Sequence, residues 1–210
     1  MSISKPNSAV LAVPTVAAAA GAANKKPVRD LVAKIKDSSP EVRTQAWLGA
    51  GDVGADAVQP LSKVMTDDDL EVARAAKRAL WQIVRHAGRP DAEGQKRAVV
   101  SKLIGLLGDD QPVAVRREVL WMLSEIGPRR RIKPIAGLLA DADLREDARM
   151  VLERIPGKAS VTALKAALKD VPEEFKPNVA QSLRRRGVKV SGYPCVKLVP
   201  SKQTGVKPLE

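Results

Sequence analysis

The fold is decided by residues 41–61, which read EVRTQAWLGAGDVGADAVQPL and whose pattern returns four more times downstream. Four apolar residues of this stretch are spaced by 4, 4 and 3 residues, which places them on one face of a helix. They are Val42, Ala46, Ala50 and Val53, and we call such a set an apolar ladder. The later ladders are Val72, Ala76, Leu80 and Ile83; Val115, Val119, Leu123 and Ile126; Leu144, Ala148, Leu152 and Ile155; and Phe175, Val179 and Leu183. The recurrence predicts an array of helical repeats.

A second run of helically spaced apolar residues follows each of the first four ladders. The runs are Val58, Leu61 and Met65; Val100, Leu103, Ile104 and Leu107; Ile132, Ile135 and Leu139; and Val161, Leu164 and Leu168. Because no core segment shows sustained alternation, we predict an all-α fold of paired helices of about 10–14 residues each. One pair cannot bury its apolar faces alone, whereas stacked neighbouring pairs can.

Aspartates mark the predicted starts of the ladder helices, and glycines mark their ends. An aspartate stands nine residues before the second ladder position in four copies, where its carboxylate can accept backbone N–H groups of a new helix. These aspartates are Asp37, Asp67, Asp110 and Asp170. The glycines that follow the ladders are Gly54, Gly127 and Gly187. Successive ladders are 30, 43, 29 and 31 residues apart, so the long interval indicates an insertion at residues 85–94.

This pattern resembles HEAT repeats, and most of all the short HEAT-like repeats of the phycobilisome lyase class. The residues that carry the resemblance are Asp37, Val42, Arg43, Ala46, Gly54, Pro60 and Leu61 in the first copy and Asp110, Val115, Arg116, Gly127 and Pro134 in the third. The resemblance implies a right-handed α-solenoid of about five HEAT-like helical hairpins. In that family a basic residue after the valine commonly ties one repeat to the next. Here that place is held by Arg43, Arg116, Arg145 and Lys176, whereas the second copy has Ala73 there and Arg74 one step later.

Composition divides the chain into an Ala/Pro-rich leader at residues 1–26, the repeat array at residues 27–187 and a basic tail at residues 188–210. The leader has one early lysine and a proline in the middle of its apolar run, and it is too weakly apolar to span a membrane. We interpret it as a flexible leader of a cytoplasmic protein. The alternative is export, with residues 1–23 acting as a weak signal. The tail is predicted to be extended.

The formal net charge of +12 favours an anionic partner, although residues 1–26 carry +3 of it and residues 184–210 carry +6. Two basic clusters are candidate contacts for phosphate or for an acidic partner. They are Arg129, Arg130, Arg131 and Lys133 after the third ladder, and Arg184 and Arg185 in the fifth copy. The alternative is a solvated turn for the first cluster and a polar cap on the last repeat for the second. Arg186, in place of an apolar fourth ladder residue, favours the cap.

Three tryptophans lie on three successive ladder helices. Relative to the ladders, only Trp47 and Trp81 share a side of the helix, so a continuous row that includes Trp121 is not predicted. Packing in the core or at its edge is the preferred interpretation. A strip that binds bases or peptides is the alternative.

The sequence offers few residues for catalysis. His86 is the single histidine and Cys195 the single cysteine, and no pattern brings them together. The sequence has no clustered metal-ligand spacing and no glycine loop that would cradle phosphate. The acidic run at residues 67–69 is interpreted as a helix cap rather than a cation site. We therefore predict no cofactor, no metal site and no enzymatic activity.

The remaining prediction is a non-enzymatic scaffold that binds another protein or a peptide on the concave face built by the ladder helices. The candidate contacts are solvent-side residues of those helices: Arg43, Trp47, Arg74, Arg78, Arg117 and Arg149. The alternative is a nucleic-acid-binding protein that uses the basic clusters, in the manner of the HEAT-like alkylpurine glycosylases. The resemblance also implies bilin or tetrapyrrole handling as a third possibility.

Overall fold

The computed structural model describes residues 25–128 and 131–194, and within these ranges it contains helices and turns but no strand. The predicted all-α class, built from helical repeats, is therefore confirmed. Most of the predicted leader, Arg129, Arg130 and the tail from Cys195 onward lie outside the described residues. The chain forms two compact units that divide between Gly108 and Asp109.

The described part of unit 1, residues 25–108, consists of six helices, with one turn of 3-10 helix at Gly54–Ala57. The helices are α1 (Lys25–Ile35), α2 (Pro40–Leu48), α3 (Ala50–Val53), α4 (Val58–Val64), α5 (Leu70–Ala87) and α6 (Glu93–Ile104). The ladder helices α2 and α3 pack against the next ladder helix, α5, and α4 packs against α6. This is the stacking of first helix on first helix and second on second that a repeat array requires.

The centre of unit 1 is α5, whose four ladder residues are all buried. Glycine at position 51 lets α3 and α5 approach closely. A Cβ atom at Gly51 would lie 2.8 Å from His86 Nδ1, so a larger residue there would force the histidine to move. The predicted insertion is partly helix, because α5 continues through Arg85 and His86 to Ala87 before the chain turns.

Unit 2 repeats the arrangement with five helices among residues 109–128 and 131–194. They are α7 (Val113–Ile126), α8 (Lys133–Gly137), α9 (Arg145–Arg154), α10 (Lys158–Asp170) and α11 (Lys176–Arg185), with 3-10 turns at Leu138–Ala140 and Glu173–Phe175. The ladder helices α7 and α11 both pack against α9, and α8 packs against α10. All residues of the last three ladders are buried.

The helix caps differ from the prediction by two residues. Asp37 and Asp67 each accept a hydrogen bond from the backbone N–H of the residue two positions later. This forms a local turn that short carboxylates favour. The capping residues are Ser39, whose hydroxyl accepts from Val42, and Asp69, whose carboxylate accepts from Glu71 and Val72. At the other two predicted caps, the position preceding the helix or 3-10 turn is held by a proline, without a side-chain cap.

Several helices are shorter than predicted. The first ladder helix is interrupted at Gly49, since glycine is a weak helix former, and α8 has 5 residues before it tightens into 3-10 helix. The predicted glycine ends are confirmed, because Gly54, Gly127 and Gly187 have φ angles of 75°, 69° and 75° that other residues rarely adopt. None of the helices in the described ranges is long and apolar enough to cross a bilayer.

Candidate binding cleft

A cleft of about 440 Å³ opens on the exposed side of α5 in unit 1. Its lining comprises Trp47 from α2 and, from α5, Arg74, Lys77, Arg78, Trp81, Gln82 and Arg85. The buried ladder of α5 sets this geometry, because the ladder fixes one face of the helix against the core and turns these residues outward. The arginines and Trp81 fall within an arc of roughly 60°, since an α-helix turns about 100° per residue. We call this site the α5 cleft.

Both tryptophans of the α5 cleft are half-buried and carry an arginine over the ring. The guanidinium carbon of Arg78 lies 5.7 Å from the centre of the Trp47 ring, and that of Arg85 lies 5.5 Å from the centre of the Trp81 ring. Such cation–π contacts hold a guanidinium in place while its N–H groups stay available to an anion. The cleft therefore presents two positioned hydrogen-bond donors of positive charge.

The charge of the α5 cleft is one-sided. Its lining residues include four cations and no carboxylate. Arg74 of the lining pairs with Glu71, whose Oε1 lies 2.6 Å from Arg74 Nη1, and both side chains are more than half exposed. An exposed ion pair of this kind is worth about 0–1 kcal/mol, so an incoming carboxylate can compete for Arg74. The cleft is thus suited to an anionic ligand.

The structure brings three of the six predicted contacts together in this cleft, namely Trp47, Arg74 and Arg78. Arg43 is not part of the cleft lining and has a structural role instead. Its guanidinium donates to the backbone oxygens of Asp37 and Ser38 at 2.7 and 2.9 Å, which closes the turn between α1 and α2.

The other two predicted contacts, Arg117 and Arg149, are in unit 2 and are held by acidic partners. Arg117 Nε donates to the Asp147 carboxylate at 2.9 Å, and its terminal nitrogen donates to the Asp143 backbone oxygen at 2.8 Å. Arg149 pairs with Glu146 and, at 2.9 Å, with Glu153. Both arginines therefore tie neighbouring elements of unit 2 together.

Glu153 is the centre of a polar network between α9 and α11. Besides Arg149, it accepts from the Ser182 hydroxyl at 2.7 Å and from Arg185 at 2.9 Å. Burial by itself would raise the pKa of Glu153, but the Ser182 and Arg185 hydrogen bonds and the two arginine charges outweigh it and lower the pKa. Hydrogen bonding to Glu146 likewise raises the pKa of Arg149. The network is fully charged at neutral pH.

The predicted basic cluster in the fifth copy is engaged inside unit 2. Arg184 donates to the backbone oxygens of Val190 and Tyr193, which folds residues 188–193 back toward α11. Arg185 belongs to the Glu153 network. Arg186 is half-buried, and backbone oxygens at the end of α9, including that of Glu153 at 3.0 Å, accept hydrogen bonds from its guanidinium.

The remaining cluster, after α7, is described only at Arg131 and Lys133, which are both exposed. Of the basic residues expected to tie repeats together, Arg116 does so through a buried ion pair of 3.2 Å with Asp141. Arg145 also reaches the next copy, with its guanidinium carbon 5.8 Å from the centre of the Phe175 ring. Lys176 pairs locally with Glu173.

Sequence reasoning missed four residues of the α5 cleft: Lys77, Trp81, Gln82 and Arg85. A signal for them exists, because positions 74, 78, 81 and 85 are spaced like a helical stripe opposite the apolar ladder. The half-buried state of the tryptophans agrees with packing at the edge of the core. Trp47 and Trp81 nevertheless share one cleft, as their common side of the helix allows.

Of the two residues considered for nucleophilic chemistry, the structure describes His86 alone. His86 lies 3.8 Å from an oxygen of Asp52, which is largely exposed, and Cys195 is outside the described residues. Across residues 25–128 and 131–194, no group of three or more His, Cys, Asp or Glu side chains is placed to hold a metal ion.

Comparisons with known proteins do not identify a family for this chain. No protein-family model matches the sequence, and no curated protein matches it. Among solved structures, a designed armadillo repeat protein in complex with peptide (KR)4 is 20% identical, with a TM-score of 0.45 over 82% of this chain and 95% of that chain. Computationally designed armadillo repeat proteins for modular peptide recognition are 22% identical, with a TM-score of 0.41 over 80% of this chain and 83% of that chain. Likenesses this distant do not transfer a ligand.

Proposed function

We propose that this protein is a non-enzymatic scaffold whose α5 cleft binds an acidic segment of a partner protein. The observation that carries the proposal is the pair of guanidinium groups held over Trp47 and Trp81 in a lining without carboxylates. Guanidinium groups match carboxylates with two parallel hydrogen bonds, and their position over a ring reduces the entropy lost on binding.

A peptide fits the α5 cleft better than a nucleic acid does. Base stacking needs an accessible ring face, whereas Arg78 and Arg85 already lie over the two indoles. Gln82 supplies the only side-chain oxygen in the lining, since arginine, lysine and tryptophan side chains are hydrogen-bond donors alone. Such an oxygen can accept a hydrogen bond from the N–H groups of a peptide backbone, whereas a sugar–phosphate backbone has no N–H group.

Binding without catalysis follows from the same lining. A proton-transfer catalyst needs a group whose pKa lies near the working pH, and arginine, lysine, tryptophan and glutamine side chains do not ordinarily provide one. The positive lining also sets the sign of the ligand, because it would repel a basic peptide such as (KR)4.

The proposal is tested by fluorescence anisotropy with a labelled 14-residue peptide of glycine, serine and three aspartates. The double variant Arg78→Glu/Arg85→Glu is expected to bind it at least about tenfold more weakly than the unmodified protein. The matched control is Arg97→Glu/Lys102→Glu, which makes the same change in charge on exposed positions of α6 outside the cleft.

Equal binding by the two double variants would refute a role for the cleft, and so would a failure of the acidic peptide to bind at low salt. A (KR)4 peptide serves as the negative ligand. Tighter binding of single-stranded DNA than of the peptide, with loss of affinity in the cleft variant, would assign the cleft to nucleic acid instead.

A further inference from the structure

We infer that the acidic segment bound in the α5 cleft carries a phosphorylated serine or threonine, and that Arg74 and Arg78 share its phosphate. This inference rests on the proposed function and adds to it the chemistry of the anion, which makes binding dependent on modification of the partner. It is drawn from the placement of two arginines on successive turns of one exposed helix face.

Arg74 and Arg78 stand four residues apart on α5, and both line the cleft. Residues at this spacing are neighbours on a helix surface, with Cβ atoms about 5–6 Å apart, so two long side chains can reach one ligand group. Arg85 stands seven residues beyond Arg78, which is roughly 10 Å along the helix axis. It lies over the ring of Trp81, whereas Arg78 lies over that of Trp47. Arg74 and Arg78 are therefore placed for one anion, and Arg85 for a separate contact.

A phosphate monoester suits this pair of arginines better than a carboxylate does. A carboxylate carries one charge and two oxygens, which a single guanidinium group can pair with completely. The phosphate of a phosphoserine carries a charge of about −1.5 to −2 at neutral pH and has three acceptor oxygens. Two guanidinium groups can therefore donate to different oxygens of one phosphate, and their two positive charges balance its charge.

The contact of Arg74 with Glu71 shows that an acidic oxygen is accepted beside this pair. The Glu71 carboxylate is 2.6 Å from Arg74, and both side chains are more than half exposed. Two like charges four residues apart on a helix repel each other, and one exposed carboxylate offsets only part of that repulsion. A dianion between Arg74 and Arg78 would remove the repulsion and displace Glu71.

The pair of arginines is peculiar to the second copy of the repeat. Its two positions stand two and six places after the first ladder residue, and no other copy has arginine at both. The stacking of repeats therefore does not require the pair, which favours a role in binding. The residues at the two positions in the other copies are Thr44 and Leu48, Arg117 and Trp121, Glu146 and Met150, and Pro177 and Gln181.

The test compares two labelled 14-residue peptides by fluorescence anisotropy against the full chain at one low salt concentration. Both consist of glycine and serine around a central site, which holds one phosphoserine in the first peptide and two adjacent aspartates in the second, so that their charges nearly match. We expect the phosphopeptide to bind about tenfold more tightly, because one phosphate can engage both guanidinium groups whereas adjacent aspartates diverge.

Point variants then assign this preference to residues. Arg74→Ala and Arg78→Ala should each reduce it to about twofold or less, because either change leaves one guanidinium group for the phosphate. Arg85→Ala is the control inside the cleft and should weaken both peptides alike, so that the preference is kept. Arg97→Ala, at an exposed position of α6 outside the lining, should change neither affinity.

Equal affinities for the two peptides, or a tenfold preference that survives Arg74→Ala, would overturn the shared phosphate and leave the acidic ligand in place. Inorganic phosphate is the competing probe. If it displaces the phosphopeptide at concentrations near the Kd of that peptide, the pair binds the free ion and the inference is overturned as well. If neither peptide binds, or if Arg78→Glu/Arg85→Glu binds both unchanged, the proposed function itself fails.

Discussion

Units 1 and 2 follow the same repeat pattern but use equivalent arginines in opposite ways. Arg74 and Arg117 each stand two residues after the first ladder position of their helices. Arg74 pairs with Glu71 of its own helix and lines an open cleft. Arg117 instead reaches the carboxylate of Asp147 on the next ladder helix. The repeat position thus fixes the face of the helix, whereas the use of the arginine differs between these two positions.

The same contrast extends to the aromatic residues. In unit 1 the two arginines that are held over tryptophans, Arg78 and Arg85, both line the cleft. In unit 2 the arginine that faces an aromatic ring, Arg145, lies beside the buried Phe175 and joins two ladder helices. Cation–π contact serves the packing of unit 2, whereas in unit 1 it positions charge at a surface.

The largest expected effect comes from removing the centre of the unit 2 network. Glu153→Ala leaves Arg149, whose side chain is only 12% exposed, without its buried acidic partner. We expect the free energy of unfolding to fall by about 2 kcal/mol, somewhat less than for a fully buried pair. Urea denaturation followed by the fluorescence of Trp121, in a Trp47→Phe/Trp81→Phe background, measures this for unit 2. Arg78→Ala is the control from unit 1; followed by the fluorescence of Trp47 and Trp81 in a Trp121→Phe background, it should cost less than about 0.5 kcal/mol.

A loss of stability as large for Arg78→Ala as for Glu153→Ala would erase the distinction between the two units. The arginines of the α5 cleft would then stabilise the fold, as those of unit 2 do, and the argument that the cleft is a binding site would fail.

Reversing the charge of the two equivalent arginines gives the next effect in size. Arg117→Glu places a carboxylate against Asp147, which is 14% exposed, and should destabilise unit 2 by about 1–2 kcal/mol. Arg74→Glu faces only the exposed Glu71, and we expect a change of at most about 0.5 kcal/mol. Thermal unfolding of the two variants side by side measures the difference. Equal shifts in Tm would show that the tie between Arg117 and Asp147 contributes nothing.

The network of Glu153 also predicts how unit 2 responds to acid. The pKa of the Glu153 carboxyl is lowered from an ordinary value of 4.5, so this group binds a proton less readily in the folded state than in the unfolded state. The stability that this group contributes is therefore present above about pH 4.5 and is lost as the pH falls through the lowered pKa. Urea midpoints between pH 6 and pH 3 should fall more steeply for the unmodified protein than for Glu153→Gln. Parallel pH profiles would contradict the charged network.

The smallest effect concerns Glu71, the acid that competes for Arg74. Glu71→Gln removes the competing charge and should strengthen binding of an acidic peptide about twofold, with no measurable change in Tm. Anisotropy titrations at two salt concentrations check this, because the gain should shrink at higher salt. Weaker binding in this variant would mean that Glu71 holds Arg74 in a productive position instead of competing with the ligand.

Much of the fold could be predicted from the sequence because the apolar ladders repeat one spacing many times. The burial of Leu80, Leu123 and Leu152 in equivalent places follows directly from that spacing. The exact capping residues could not be predicted, because an aspartate can either cap a helix or form a local turn with the backbone. Asp37 and Asp67 form the turn. The end of α5 was missed because an extra helical turn at residues 85–87 looks like an insertion when only ladder intervals are compared.

The candidate site was less predictable for a physical reason. A ladder shows which residues of a helix point away from the core, and three of the residues so predicted, Trp47, Arg74 and Arg78, line the α5 cleft. It carries no information on the long-range partners of an arginine. Arg117 meets Asp147, 30 positions later in the chain, and Arg149 meets Ser182, 33 positions later. Only three-dimensional packing separates these internal ties from surface contacts.

The most direct test of the account is to ask which tryptophans sense the ligand. Trp121→Phe leaves Trp47 and Trp81 as the two indoles of the chain, and Trp47→Phe/Trp81→Phe leaves Trp121 of unit 2 alone. We predict that an acidic peptide changes the emission of the first variant with the same Kd that anisotropy gives, and leaves the emission of the second unchanged. A response from Trp121 alone, with silent cleft tryptophans at saturating peptide, would contradict the assignment of the α5 cleft as the binding site.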